Sequence, residues 1–373
     1  MYLVELNDLQ GLLSALSHHG YTIIGPQVRN GAITFDKLMT VEELPRGWTD
    51  LQAAGSYGIV PSGDDALFTF TVGPHSWKRF LFPARLRLFA AHREGKGFSV
   101  EPDGGASASP YAFIGVRACE LAALSLQDKI FMSGQYADRH YTAVRSSAFI
   151  LAVNCARAGG TCFCSSMHTG PKAQGGFDLA LTEVVDGDRH VFTVEVGSAR
   201  GEEVLSATRH RDASDEEKAL AEAISRKADA AMGRTLETRD LPRILTENFE
   251  HARWDDVARR CLSCANCTMV CPTCFCSTVE DVTDLTGDHA ERWRRWDSCF
   301  TTDFTRVAGG NIRMSTRTRY RQWMMHKLSH WVEQFGASGC VGCGRCITWC
   351  PVGIDITAEA GAIRESSVGT NNG

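Results

Sequence analysis

The chain has 373 residues, 43% hydrophobic and 22% charged, enough for a sizeable core and for two domains. A net charge of −5 gives no global reason to expect nucleic acid as a partner, and no apolar run approaches the roughly 20 residues that cross a bilayer, so no membrane association is expected either. Fifteen cysteines follow an opening, Met1-Tyr2-Leu3-Val4-Glu5-Leu6, without the basic and apolar regions of a secretion signal. The expectation is a reducing, cytoplasmic setting in which thiolates bind metal instead of pairing as disulfides.

Leu9, Leu12, Leu13 and Leu16 fall at helical spacing ahead of Gly20. Short strands are predicted at 21–24 and 32–35, and further ones at 67–72 and 80–82. A buried strand at 111–116 leads into a helix at 118–131. Another strand, at 147–153, ends in Asn154-Cys155, and strands at 177–185 and 190–196 flank the turn Asp186-Gly187-Asp188. Residues 1–205 thus read as a mixed α/β domain, with its boundary within 201–213. Ser214 caps a helix over 214–232, with Glu217 at the third helical position. Helix is expected again from 238 to 260. The predicted class is α+β: the mixed N-terminal domain followed, over 206–373, by a mainly helical domain.

That second domain carries two cysteine runs of identical spacing. Cys261-Leu-Ser-Cys264-Ala-Asn-Cys267-Thr-Met-Val-Cys271-Pro272 and Cys340-Val-Gly-Cys343-Gly-Arg-Cys346-Ile-Thr-Trp-Cys350-Pro351 both read C-x2-C-x2-C-x3-C-P. This is the bacterial ferredoxin pattern for [4Fe–4S] clusters, in which three cysteines wrap one cluster and the fourth serves the other. Cluster A is then expected on Cys261, Cys264, Cys267 and Cys350, and cluster B on Cys340, Cys343, Cys346 and Cys271. Zinc ribbons use two separated C-x2-C pairs instead of overlapping ones, and no C-x2-C is followed by the His of a c-type haem site.

Between the runs lies an insertion, 273–339. Its later part, 313–335, is predicted as a basic helix carrying Trp323, Met324, Leu328 and Trp331. The arginines there, with Lys327, read as a solvated face or an offset to cluster charge, or else as a docking surface for an acidic partner. His326 and His330 are read as a surface pair, since Lys327 stands where a zinc-protease helix has Glu.

Seven cysteines lie outside the runs. Cys119 starts a helix after one strand, Cys155 ends another, and Cys162 and Cys164 follow in the loop Gly159-Gly160-Thr161-Cys162-Phe163-Cys164. Strand ends and helix starts share one edge of an α/β sheet, so these four are expected to be able to meet as ligands of a third cluster. Cys274, Cys276 and Cys299 are one thiolate short of an all-cysteine site. They are open to a mixed site, to another centre with a non-cysteine ligand, or to packing around cluster A, the last being the default. No strand is followed by G-x-G-x-x-G, and there is neither a P-loop nor a nucleophile elbow, so the chain offers electron carriers without a place to remake substrate bonds.

Gly115-Val-Arg-Ala-Cys119-Glu-Leu, Asn154-Cys155, Gly160-Thr-Cys162-Phe-Cys164-Ser-Ser-Met167 and Cys271-Pro-Thr-Cys274-Phe-Cys276 resemble the β (iron–sulfur) subunit of soluble NADP-linked [NiFe] hydrogenases, or sulfhydrogenases. The A subunit of anaerobic sulfite reductase is similar. The resemblance runs from about residue 110 onward. It implies a non-catalytic electron-transfer subunit of a cytosolic complex, linking a flavin/NAD(P)-binding subunit to the [NiFe] hydrogenase small and large subunits, or to a sulfite reductase catalytic subunit. It favours ligand roles for the N-terminal cysteines. The hydrogen-activating subunit of that family has two separated C-x2-C pairs, which this chain lacks. An independent flavin-binding iron–sulfur oxidoreductase and a zinc-binding module are the competing readings.

Overall fold

A computed structural model describes residues 1–102, 109–187 and 189–369. In chain order it begins with β1 (Tyr2–Glu5), α1 (Leu9–His18), β2 (Thr22–Arg29) and β3 (Ala32–Lys37), then the hairpin β4 (Trp48–Ala53) and β5 (Ser56–Pro61). One helical turn, α2 (Lys78–Leu81), precedes a second hairpin, β6 (Arg85–Glu94) and β7 (Gly97–Pro102). There follow β8 (Tyr111–Val116), α3 (Ala118–Phe131), α4 (Arg139–Ser147), β9 (Phe149–Val153), β10 (Leu179–Asp186), β11 (Arg189–Val196), α5 (Ala199–Ser206) and β12 (Arg211–Asp212). The expected 186–188 turn joins β10 to β11, although Asp188 lies outside the described residues.

Eight of these strands form one mixed sheet in the order β12-β1-β11-β10-β9-β8-β2-β3, with the β2–β8, β8–β9 and β9–β10 pairs parallel. β8 and β9 are almost continuously apolar because both faces of the sheet are covered. Phe149, Leu151 and Val153 share a core with Leu12, Leu16 and Leu205 of α1 and α5. Ile150 and Ala152 pack with Leu121 and Leu124 of α3 and Tyr141 of α4 on the other face. Parallel strands bring their C-terminal ends to one edge, where β8 hands over to α3 at Arg117 and β9 gives way to Cys155.

Two expected strands are not strands. Residues 67–72 are buried, but side chains satisfy their amides. The Glu183 carboxylate accepts from the Leu67 and Phe68 amides at 2.6 and 2.8 Å, and Asp50 accepts from Thr71 N at 2.6 Å, so no strand partner is needed. Residues 80–82 fall in and after the turn of α2, since a three-residue apolar run cannot reveal its period.

The C-terminal part starts with α6 (Asp215–Ala230), whose Ser214–Glu217 capping box is formed as expected; Leu220 and Ile224 pack against Val184 and Val191 of the sheet. The helix expected over 238–260 is two, α7 (Leu241–Glu247) and α8 (Arg253–Arg260). Asn248 stops the first by donating its side-chain amide to Ile244 O, and its own carbonyl accepts from Trp254 Nε1. Next come the single turn α9 (Asn266–Met269) and a hairpin that the sequence did not suggest, β13 (Ser277–Thr283) and β14 (His289–Trp296). β14 pairs with β6, giving a sheet β13-β14-β6-β7 that joins the insertion to the N-terminal half. The expected mainly helical region therefore also contains strands. The basic helix is present as α10 (Thr316–Met325), running through a π-helical turn at His326–His330 into α11 (Trp331–Phe335). A further turn, α12 (Arg345–Thr348), and α13 (Ile356–Gly369) complete the chain. Trp254, Tyr320, Met324 and Ile363 form a second core among α8, α10 and α13. Among the described residues no helix is long and apolar enough to cross a membrane.

Candidate metal centres

The two cysteine runs fold into matching loops. In the first, Ser263 and Ala265 have φ of 51° and 66°; at the equivalent places in the second, Gly342 and Gly344 have 64° and 75°. Each left-handed pair curls the chain so that successive cysteines face one point. In both loops the amide two residues on points back at the first sulfur: Ser263 N to Cys261 Sγ at 3.4 Å and Gly342 N to Cys340 Sγ at 3.5 Å. Short helices α9 and α12 then carry Cys271 and Cys350 out of their own loops.

The fourth cysteines cross over. Cys350 lines one pocket with Cys261, Cys264 and Cys267, and Ile354 N donates to its sulfur at 3.3 Å. Cys271 is an electrostatic neighbour of Cys340, Cys343 and Cys346. The remaining expected set also meets. Cys119 neighbours Cys155 and Cys164, and Cys155 neighbours Cys162 and Cys164, all at the sheet edge where β8 and β9 end.

The second loop and the third group touch. Phe163 N donates to Gly342 O at 2.8 Å. A Cβ on Gly342 would lie 2.6 Å from the Phe163 backbone, and one on Gly344 would lie 2.4 Å from Thr161 O, so the two chain segments lie flush. On its other side the loop meets the β4–β5 hairpin. Gly55 N donates to Ile347 O at 3.1 Å, and Gln52 Oε1 accepts from Thr161 and Thr348 at 3.1 and 2.9 Å.

Charged side chains buried among these sulfurs were not recognised from sequence. Arg345, inside the second run, has a fully buried side chain. It pairs with Glu120 in the first turn of α3 at 2.5 Å and donates to the Gly73 and His75 carbonyls at 2.9 and 2.8 Å. Arg117 lies beside Cys155 and donates to the Phe68 and Phe70 carbonyls at 2.9 and 2.8 Å. Lys327, read from sequence as part of a solvated or charge-offsetting face, is buried, its Nζ 3.2 Å from Cys271 Sγ and 3.0 Å from Thr273 Oγ1. The only sequence signal was position: Arg345 sits within a metal-ligand run, and Lys327 falls on the apolar side of its helix. His326, expected on the surface, is half-buried between Phe275 and Trp331.

Burial pushes the thiols up: Cys162 and Cys340 to about 12, and Cys119, Cys267 and Cys346 well above the usual range. Cys271 goes the other way, held well down by the hydrogen bond from Cys274 and then by the Lys327 ammonium. Ionising one such thiol alone buries a bare charge, whereas iron balances thiolate charge within the same site. Among the described residues no three His, Cys, Asp or Glu side chains are arranged to hold a single metal ion. A cubane spreads its four ligands over four irons, one thiolate to each.

The family of 4Fe-4S dicluster domains matches residues 260–354, which include both runs. Over 349 residues, 93% of this chain and 93% of the relative, the sequence is 30% identical to the sulfhydrogenase 2 subunit beta of Pyrococcus furiosus. The chain belongs to the sulfhydrogenase β-subunit family. No solved structure matches it. As an iron–sulfur member of a hydrogenase family, it is an electron-transport component whose cofactors are [4Fe–4S] clusters. The N-terminal cysteines lie outside the matched dicluster segment, so their grouping stands on the geometry of the sheet edge alone.

Proposed function

We propose that this chain is the electron-relay subunit of a cytoplasmic, multi-subunit [NiFe] hydrogenase, connecting a flavin/NAD(P) subunit with the small and large hydrogenase subunits. Cysteines 261, 264, 267 and 350 hold cluster A, 340, 343, 346 and 271 hold cluster B, and 119, 155, 162 and 164 hold a third. Residues 1–205 form the domain of the third site and 206–373 the dicluster domain with its 273–339 insertion. When bound, the clusters supply one-electron carriers.

What carries the reading is the flush contact of Gly342 and Gly344 with residues 161–164, which sets the second loop directly against the third group of sulfurs. Sulfur groups in contact favour short electron steps over isolated structural roles. The chain's own residues then have three tasks. Amides of Ser263, Gly342 and Ile354 donate to sulfur, and such bonds tune cluster potentials. Arg117, Arg345 and Lys327 offset buried negative charge. Phe300, Tyr320 and Ile354 keep water from the first loop's interior. Cys264 is exposed, and Leu262 beside it is 63% exposed, so the first loop is the end that faces a partner.

The test is iron and acid-labile sulfide per chain in anaerobically purified complex, together with the identity of co-purifying subunits. About twelve irons and a [NiFe] partner are expected on the three-cubane reading. A sirohaem partner replaces the hydrogenase assignment with that of a sulfite reductase A subunit. Colourless protein without labile sulfide overturns the relay altogether.

A further inference from the structure

Three cysteines remain outside the three groups, and two of them are placed to act on each other. Cys274 is engaged with Cys271, to whose sulfur it donates. Cys276 and Cys299 share a hydrogen bond of their own, in which Cys299 is the donor. The β13–β14 hairpin brings them together: Ser277 and Trp296 pair at its open end, and Asp297 N donates to Cys276 O at 2.8 Å. The chain then turns at Ser298, whose carbonyl accepts from Thr301 N at 3.0 Å, and Cys299 sits in that turn.

Both cysteines are half-buried and line a cavity of ≈ 360 Å³, roomy enough for a small molecule. Phe275, Phe304 and Trp331 give it apolar sides, and Gln322 and His326 add polar ones. Arg313, which among the described residues forms no ion pair with Asp or Glu, also lines it. The cavity therefore offers an unmatched positive charge to a ligand. Cys299 has Cys267, a cysteine of the first run, as an electrostatic neighbour. Two sulfurs within hydrogen-bonding reach need only a small shift to bond to each other. The disulfide so formed returns to two thiols by exchange or by taking up two electrons. A pair that served packing alone would need neither the opening nor the cation.

We propose that Cys276 and Cys299 are a redox-active dithiol that reduces small, carboxylate-bearing organic disulfides in this cavity, with electrons drawn from cluster A. The electrons rest on the relay proposed above; the exchange between sulfurs does not. Cys276, as thiolate, attacks one sulfur of RS–SR and forms a mixed disulfide, and the departing RS⁻ takes up the proton Cys276 lost. Cys299 then attacks Cys276 Sγ, gives its own proton to the second departing RS⁻ and closes the Cys276–Cys299 disulfide. Two electrons, passed singly, and two protons from solvent reopen it, so RS–SR with two electrons and two protons yields two RSH. Arg313 holds the substrate carboxylate.

The experiment compares anaerobically purified complex carrying the wild-type chain, Cys276→Ser, Cys299→Ser, Arg313→Gln or Cys267→Ala. Dithiodipropionate is the probe, hydroxyethyl disulfide its uncharged comparator, and reduced methyl viologen the electron donor. Disulfide-dependent viologen oxidation is expected in the wild type and should fall by about tenfold or more in either serine variant, with iron, labile sulfide and the EPR spectrum unchanged. In Cys299→Ser, which lacks the resolving thiol, peptide mass spectrometry is expected to find half of the probe bound at Cys276. Arg313→Gln should raise KM for dithiodipropionate while leaving kcat and the comparator as they were. Cys267→Ala should still form the Cys276–Cys299 link on treatment with the probe but turn over poorly. Wild-type turnover in both serine variants, or a wild-type chain that forms no such link, overturns the proposal. Iron lost from either serine variant also overturns it, since these cysteines would then be cluster ligands. The relay falls on a different result, unchanged iron in Cys267→Ala, so the two fail separately.

Discussion

The two ferredoxin loops share a spacing and a backbone path yet live in opposite surroundings. The second is gripped between the β4–β5 hairpin and residues 161–164, with Arg345 buried in its middle. The first has an exposed Cys264 and Leu262, and its side-chain ties are few: Ser263 to Thr316 at 3.1 Å and Asn266 to Trp349 O at 2.7 Å. The difference is written in the residues with positive φ. Where another backbone lies within reach, only glycine fits, hence Gly342 and Gly344. In the first loop Ser263 and Ala265 adopt the same angles at a modest cost in strain, on the order of 1 kcal/mol each. The same motif is thus clamped between other segments in one place and open to solvent in the other.

The largest expected effects come from removing a sulfur at each end. Cys267→Ala should remove about four irons per chain and interrupt electron flow, with the N-terminal sheet intact by far-UV circular dichroism. Cys155→Ala should remove a different set of about four while leaving both ferredoxin signals in the EPR spectrum. Unchanged iron in either variant breaks the corresponding assignment.

Next in size is the buried ion pair. Arg345→Ala leaves Glu120 unpaired against Trp77 Nε1 and the Arg117 amide, a loss of about 3–5 kcal/mol. Because Glu120 follows Cys119 and Arg345 stands between Cys343 and Cys346, the variant should lower iron in the second and third groups together and spare cluster A. A fall in melting temperature with full iron retention would reduce the pair to a structural role.

Smaller still is a reciprocal exchange in the loops. Gly344→Ala puts a methyl group 2.4 Å from Thr161 O in a left-handed conformation and should cost about 2–4 kcal/mol. Ala265→Gly, at the equivalent place, trades relief of strain against chain entropy and should fall within about 1 kcal/mol of zero. Equal effects in chemical denaturation would remove the distinction between a clamped and a free loop.

Much of this was legible in the chain. The runs declared themselves by spacing, and β8, α3 and β9 by apolar stretches whose ends carry Cys119 and Cys155 to one edge. What stayed hidden depends on distance along the chain or on side chains that replace ladders. Arg345 and Glu120 are far apart in sequence, and nothing local to either announces a partner. Residues 67–72 look like a strand because they are apolar, but Glu183 and Asp50 take the hydrogen bonds a neighbour would have made. β13 and β14 escaped because their half-exposed faces, rich in Arg and Glu, lack the apolar alternation that marks a strand. Cys274, Cys276 and Cys299 looked like packing since their spacing matches no motif; only the fold gathers them around one cavity.

The finest test of the comparison is Leu262→Ser. The side chain is largely exposed and supports no core, so stability should change by less than about 0.5 kcal/mol and iron should stay at the wild-type level. On the proposed relay, an exposed leucine two residues from the exposed Cys264 serves an interface, where apolar contact holds a partner close to that sulfur. The expected outcome is therefore weaker retention of the adjoining subunit on size-exclusion chromatography at raised salt, and slower reduction of cluster A by that subunit in stopped-flow. The equivalent change in the inner loop, Val341→Ser, buries a hydroxyl at a position that is 2% exposed and should lower stability without altering subunit retention. If both variants shed the partner equally, the first loop is not the outward end, and the order of the relay must be drawn the other way round.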